Sequence, residues 1–239
     1  MLVGLGAVVA LASAAGCAAR RGAGSSHATH KSPRTASSAA LPPKVVVLVV
    51  VDQLPSWSFA AKAHKGLFTR GFARLTRQGR YYPEVRYPYA ATLTAAGHAA
   101  LVTGAPPAAS GIAGNEWFHR GEGRLVNCVE DRARSLWKTA PAATQVGRGA
   151  SPHALRAETV GDVLQRRHPG AKVVTVSLKD RAAILTGGKR PTLALWYDAK
   201  QPSFTSSRYY APAPPSWLLA HQRKHPVTAH LNYVWRPLD

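Results

Sequence analysis

The amino-acid sequence predicts an α/β fold with a largely parallel sheet. Three unbroken apolar runs carry that expectation. Lys44–Val51 (KVVVLVVV) is rich in β-branched residues, the mark of a strand covered on both faces. Lys172–Leu178 (KVVTVSL) and Leu193–Tyr197 read as two more such strands. Segments with helical spacing separate the runs, so strands and helices alternate.

In chain order, residues 1–16 (MLVGLGAVVALASAAG) carry no charge. They fall short of the roughly 20 apolar residues a membrane-spanning helix needs. They end in Ala14-Ala15-Gly16 before Cys17, the shape of a secretory leader with its cleavage site. The small-small-Cys ending resembles a bacterial lipobox, which makes Cys17 a lipidation site; an ordinary signal peptide with an incidental Cys17 is the alternative. Residues 1–17 are therefore expected to be a signal peptide with a possible lipobox, and the protein to be exported, to the periplasm or as a cell-envelope lipoprotein. Residues 18–43 are Ser, Ala, Thr, Gly and Pro with Arg20, Arg21, Lys31 and Arg34 and no acid, a flexible basic linker. The folded part spans 44–239. Within it Gly66–Gly79 has helix-spaced Phe68, Phe72 and Leu75. Tyr81–Tyr89 is aromatic, Pro-broken and extended. Thr94–Thr103 reads as a helix opening at Thr94, and Glu158–His168 as a helix ended by Pro169-Gly170.

Composition narrows the function classes. The chain has 239 residues, and a hydrophobic share of 46% excludes global disorder. Lys plus Arg number 31 against 11 Asp plus Glu, a formal charge of +20. The linker holds only four of those cations, so the basicity belongs mostly to the folded part. Such a balance suits an anionic partner: nucleic acid, a membrane surface or a phosphorylated substrate. No recognisable nucleic-acid motif is visible, and the aromatics are scattered. Two cysteines exclude a disulfide framework and a Cys-rich zinc module; Cys128 reads as a buried thiol.

In a parallel α/β sheet, ligands bind beyond the carboxyl ends of the strands. Asp52 follows the first run and Lys179-Asp180-Arg181 the second. A helix cap for Asp52 and a solvated loop for the basic pair are the alternatives. Thr94 puts a hydroxyl at a helix start, where free N–H groups and the dipole favour a phosphate, and the small residues 95–97 let that anion approach. A plain N-cap is the alternative for Thr94.

Four segments in order, VVVDQ (49–53), TLTAAGHAALVTG (92–104), GIAGNEWF (111–118) and VSLKDRAAIL (176–185), resemble the alkaline phosphatase superfamily, and within it the PafA-type, phosphate-irrepressible alkaline phosphatases. These are relatives of the type I phosphodiesterases and nucleotide pyrophosphatases. The resemblance runs from about Lys44 to near Trp217. It implies an alkaline-phosphatase-like three-layer α/β/α fold, incomplete at the C-terminus. It implies a zinc-dependent phosphate monoester hydrolase using two Zn2+, with Asp52 and Thr94 as metal ligands and Thr94 as the nucleophile. Asn115, Lys179 and Arg181 would be catalytic and would bind the phosphoryl oxygens. Thr92 is a competing hydroxyl, which the motif alignment sets second to Thr94. In the family a Lys-x-Arg pair marks monoesterases, and two fixed cations do suit the greater charge of a monoester dianion.

Most of that family's metal ligands lie well after the Lys-x-Arg segment, and none of the ten His here sits in an Asp-His pair. His98 reads as structural and His221-x3-His225 as a solvated face. The expectation is therefore the N-terminal part of a longer phosphatase, with exposed apolar surface, no stable zinc pair and negligible turnover by itself. The alternatives are a phosphodiesterase/nucleotide pyrophosphatase of the same superfamily and a non-catalytic basic anion-binding module. The expected partner is a phosphate monoester, with membrane association only through a lipid anchor.

Overall fold

The computed structural model describes residues 6–10, 44–140, 147–230 and 234, in two compact units, Met1–Val85 and Arg86–Asp239. Cys17 and the linker 18–43 lie outside the described residues.

In the first unit, β1 (Gly6–Ala10) runs antiparallel to β2 (Leu48–Pro55), with Val8 opposite Val50 and Ala10 opposite Leu48. The apolar run from Lys44 thus enters the strand late, and Asp52 sits inside β2 rather than after it. The run is also not covered on both faces: Val45, Val46, Val47 and Val49 are exposed, Val45 by 76%. Its β-branched residues fix the extended conformation, and β1 and helix α1 (Ser56–His64) pack on the strand. The helix expected over 66–79 is shorter, α2 (Gly71–Gln78), because Gly66 takes a left-handed φ of 69° behind α1 and breaks the register. Phe68 and Phe72 still do core work. Their rings lie 4.9 and 5.4 Å from that of the buried Phe59, with Tyr81 at 5.7 Å.

The second unit holds α3 (Thr94–Thr103), the short α4 (Pro107–Ser110) and a hairpin of β3 (Glu116–His119) and β4 (Arg124–Asn127). Then come α5 (Val160–Arg167), β5 (Val174–Ser177), α6 (Asp180–Gly187), β6 (Leu193–Asp198), β7 (Ser203–Thr205) and α7 (Ser216–Lys224), with a final 3₁₀ turn over Val227–His230. The α/β alternation is as the sequence predicts, but the parallel part is one β5–α6–β6 unit, with Val174 opposite Leu193 and Ser177 opposite Trp196. The remaining pairs among the described residues are antiparallel. β6 is buried almost throughout, whereas β5 buries one face only and leaves Val174 and Val176 exposed. Helix α6 packs on both strands, and among the described residues β5 pairs with β6 alone while β6 also pairs with β7.

The core joins Ala95 and Ala99 of α3 to Ala183, Ile184 and Leu185 of α6, with Cys128, Val129 and Trp196 between them. α3 ends at Gly104, whose left-handed φ of 66° lets its N–H close onto the Ala100 carbonyl at 2.9 Å. Helix α5 opens with a reciprocal cap: Asp162 N–H donates to Thr159 Oγ1 at 3.1 Å, and Thr159 N–H donates to Asp162 Oδ2 at 2.9 Å. The other oxygen of Asp162 accepts the N–H groups of Lys189 and Arg190 at 2.9 and 3.0 Å, tying α5 to the loop behind α6. Gly188 passes so close to Thr159 and Asp162 that a Cβ there would overlap both.

Replacing Thr159 by Ala removes the hydroxyl half of this cap, which accepts the Asp162 N–H and donates to Asp162 Oδ2, and keeps the backbone half, the Thr159 N–H on Asp162. A loss of about 1–2 kcal/mol is expected in urea unfolding, with Thr159→Ser keeping most of it; an unchanged midpoint for the Ala variant would show the cap to be idle.

Candidate active site

Thr94 is the first residue of α3, as its hydroxyl-small-small-Gly sequence predicts, and the extended Leu93 ahead of it is the N-cap. The helix carries no acidic residue in its first turn, so its positive end is not answered from within. Thr94 is buried, with its backbone carbonyl held by His98 Nδ1 at 2.7 Å. A carbonyl can only accept, so His98 carries its proton on Nδ1 and acts on backbone one turn away. Tyr89, from the aromatic stretch before the helix, donates its hydroxyl to the Ala96 carbonyl at 3.4 Å. Burial, and the neighbouring Tyr87, push the Tyr89 phenol up to about 12, so it stays protonated.

Asn115 joins this helix end from the loop before β3. Its Oδ1 accepts the Ala95 N–H at 2.9 Å. That bond fixes which way the carboxamide points: with the oxygen spent on the helix, the Nδ2 group remains as a donor beside Thr94. The Asn115 carbonyl in turn accepts the Cys128 N–H at 3.0 Å. Three segments are therefore pinned at one residue: the start of α3, the 111–118 loop and the end of the hairpin.

Lys179 and Arg181 stand at the start of α6, at the carboxyl end of β5, as the strand-end rule anticipates. Lys179 is the N-cap, its N–H donating to Ser177 Oγ at 3.2 Å. Both line a cleft of about 540 Å³ with Asn127, Glu130, Arg148 and Asp198. Arg181 lies 3.8 Å from Asp180 Oδ1 through Nη1, while its Nε is buried with no hydrogen-bond partner among the described residues. A buried donor in that state calls for an acceptor. The Cys128 thiol lies beneath: burial, then the Asp180 carboxylate, push it up to about 12, with Arg181 pulling the other way. It is an inert core group, as expected.

The structure thus brings Thr94 and Asn115 together and sets Lys179 and Arg181 on the cleft. Asp52 belongs to the first unit, in β2. His221 and His225 are exposed on and just after α7, with ring centroids 4.8 Å apart. Asn127, Glu130, Arg148, Asp198 and Lys200 line the cleft but were not singled out from sequence. Asp198 ends β6 and could have been found by the same strand-end rule; Glu130 and Arg148 sit in irregular chain that no periodicity marks.

Glu130 is the electrostatic hub of that wall. It is 3% exposed and meets Arg124 at 2.9 Å, Arg132 at 3.1 Å and Arg148 at 3.2 Å. Burial alone would raise its carboxyl; the hydrogen bonds of Arg124 and Arg132 and the charges of Arg124 and Arg148 outweigh it and hold the group at about 2.

The family model of type I phosphodiesterase / nucleotide pyrophosphatase matches residues 46–223. The chain belongs to this family. Its curated relatives include alkaline phosphatase PhoV of Synechococcus elongatus, 40% identical over 82% of this chain, and alkaline phosphatase PafA of Elizabethkingia meningoseptica, 37% identical over the same share. The chain spans 35% of the length of each, about a third of the relatives it matches. The crystal structure of wild-type PafA superposes with a TM-score of 0.58 at 36% identity, covering 65% of this chain and 30% of PafA. The α/β fold is thus shared with that part of the family.

A carboxyl held low by partners stabilises the fold fully above its ordinary value of 4.5 and loses that contribution as pH falls toward 2. Glu130→Gln should therefore be less stable than the native protein at pH 6, and the gap should narrow by about 2 kcal/mol by pH 3 in urea unfolding. Parallel pH profiles for the two proteins would contradict the assignment.

Proposed function

We propose that this chain carries the phosphoryl-accepting half of a phosphate monoester hydrolase of the alkaline phosphatase type. The observation that carries the reading is the Asn115 carboxamide held on the Ala95 N–H at 2.9 Å, which sets a donor next to the hydroxyl residue at a helix N-terminus. Thr94 Oγ1 is the nucleophile. It attacks phosphorus in line, the P–O bond to the alcohol breaks, and a phosphothreonine forms that water then hydrolyses to free phosphate. Asn115 Nδ2, Lys179 and Arg181 hold the non-bridging oxygens, where charge gathers in the transition state. The buried Arg181 Nε gains its acceptor in that arrangement.

A substituted form of PafA is altered at one Thr, one Asn, one Lys and one Arg. The same four residue types occur here in the same order, with the same Thr-to-Asn separation and the same Lys-x-Arg spacing. Two Zn2+ are the cofactors of this reading, with Asp52 and Thr94 as the ligands the chain contributes. Among the described residues no group of three His, Cys, Asp or Glu is placed to hold a metal ion, so a complete zinc pair does not fit them. The paired cations favour a monoester dianion over a diester monoanion, which sets the phosphodiesterase reading second. Export is part of this reading and is supported by the uncharged leader that ends in small residues before Cys17. Cys17 is the proposed lipid attachment point.

Three measurements test this. The chain alone should show negligible hydrolysis of p-nitrophenyl phosphate at any zinc concentration. Residues 46–223 exchanged into the Synechococcus relative should give a phosphatase that loses about 10³-fold or more of kcat/KM on Thr94→Ala. In the same chimera Lys179→Gln with Arg181→Gln should depress monoester hydrolysis at least about tenfold more than hydrolysis of bis-p-nitrophenyl phosphate. Equal losses on both substrates would favour the diesterase reading, and an active Thr94→Ala chimera would remove Thr94 from the mechanism.

A further inference from the structure

The cleft of about 540 Å³ that Lys179 and Arg181 line is much larger than a phosphoryl group, and it carries further cations. Arg148 and Lys200 line it together with the buried Trp196 and the partly buried Tyr197. Arg148 reaches Glu130 Oε2 with one guanidinium nitrogen at 3.2 Å and leaves its side chain 75% exposed. Lys200 follows β6, and its backbone N–H donates to Asp198 Oδ1 at 3.0 Å, which fixes the turn that presents it.

The carboxylates nearby do not cancel these charges. The cations lining the cleft, Arg148, Lys179, Arg181 and Lys200, outnumber its lining carboxylates, Glu130, Asp180 and Asp198, the last of which accepts from the N–H groups of Gly147 and Lys200 and from the Gln201 amide. Asp180 answers Arg181. Glu130 is shared with Arg124 and Arg132, and a single carboxylate cannot neutralise three guanidiniums even with Glu122 taking part of Arg124. A third arginine on a carboxylate already paired twice adds little to folding, because exposed ion pairs contribute little. It does add an anion-attracting field over the cleft.

We infer that Arg148 and Lys200 form a second anion subsite, which selects phosphate monoesters whose leaving group carries its own carboxylate or phosphate. The inference rests on the proposed phosphoryl clamp at Lys179 and Arg181, and it names the substrate class of that cleft. Arg148 and Lys200 are specificity residues here. They touch the part of the substrate that departs, so they act on binding of the whole ester and not on the phosphorus.

The test is binding by the full chain at fixed ionic strength, so that catalysis is not needed. The probes are methylphosphonate, phosphonoacetate, 3-phosphonopropionate and 4-phosphonobutyrate, which add a carboxylate at increasing reach from the same phosphonate. At least one carboxylate-bearing probe should bind about tenfold or more tightly than methylphosphonate. In the Arg148→Gln/Lys200→Gln variant that advantage should fall below about threefold, with methylphosphonate affinity unchanged. Lys179→Gln/Arg181→Gln should weaken every member of the series. If it leaves methylphosphonate binding intact, the clamp is misplaced while the second subsite stands or falls on its own variant. Equal affinities across the series in the native protein, no binding by any member, or an advantage that survives Arg148→Gln/Lys200→Gln would each overturn the second subsite.

Discussion

The site depends on one residue used from both ends. Asn115 gives its side-chain oxygen to the first free N–H of α3 and its backbone carbonyl to the Cys128 N–H. The first bond sets the helix end that presents Thr94. The second fastens that end to the segment whose next residues, Val129 and Glu130, enter the core and the cleft wall. Behind the joint, Ala95 and Ala99 pack with Ala183 and Ile184, so α3 and α6 share one core. The start of α6 carries Lys179 and Arg181. The residues that carry the hydroxyl, the carboxamide and the cations are thus placed by backbone hydrogen bonds and small-residue packing.

Electrostatics follows the same economy. The cations proposed to hold a phosphate, Lys179 and Arg181, stand at a strand end and a helix start, where the fold already favours anions. Glu130 keeps three neighbouring arginines from repelling the wall apart, and its low proton affinity is the thermodynamic trace of that task. The formal charge of +20, which by itself points to any polyanion, thereby acquires a local meaning around one cleft.

Much of this was legible in the sequence. Thr94 at a helix start, the end of α5 before Pro169-Gly170 and the Lys179/Arg181 position after β5 are fixed by local chemistry: a hydroxyl before small residues, a Pro-Gly stop, a β-branched run followed by charge. The start of α5 lies two residues later than the expected Glu158, behind the Thr159–Asp162 cap. Less legible was anything set by neighbours. The valines of 45–49 and 174–176 read as two-faced core, because β-branching reports the extended backbone and not what covers it; the structure leaves them exposed. The sheet was expected to be largely parallel, yet partner choice lies beyond any single run, and one parallel pair is present among the described residues. Glu130, Arg148 and Lys200 sit in turns and loops, where no period announces a site.

The central claim is that the Thr94 hydroxyl receives the phosphoryl group, with Thr92 two residues away as its rival. Acid-quenching the chimera of residues 46–223 in the Synechococcus relative during turnover, followed by peptide mass spectrometry, tests it directly. The account predicts one added phosphate on Thr94. Phosphate on Thr92, or steady turnover with no phosphothreonine in the 92–104 peptide, would contradict it.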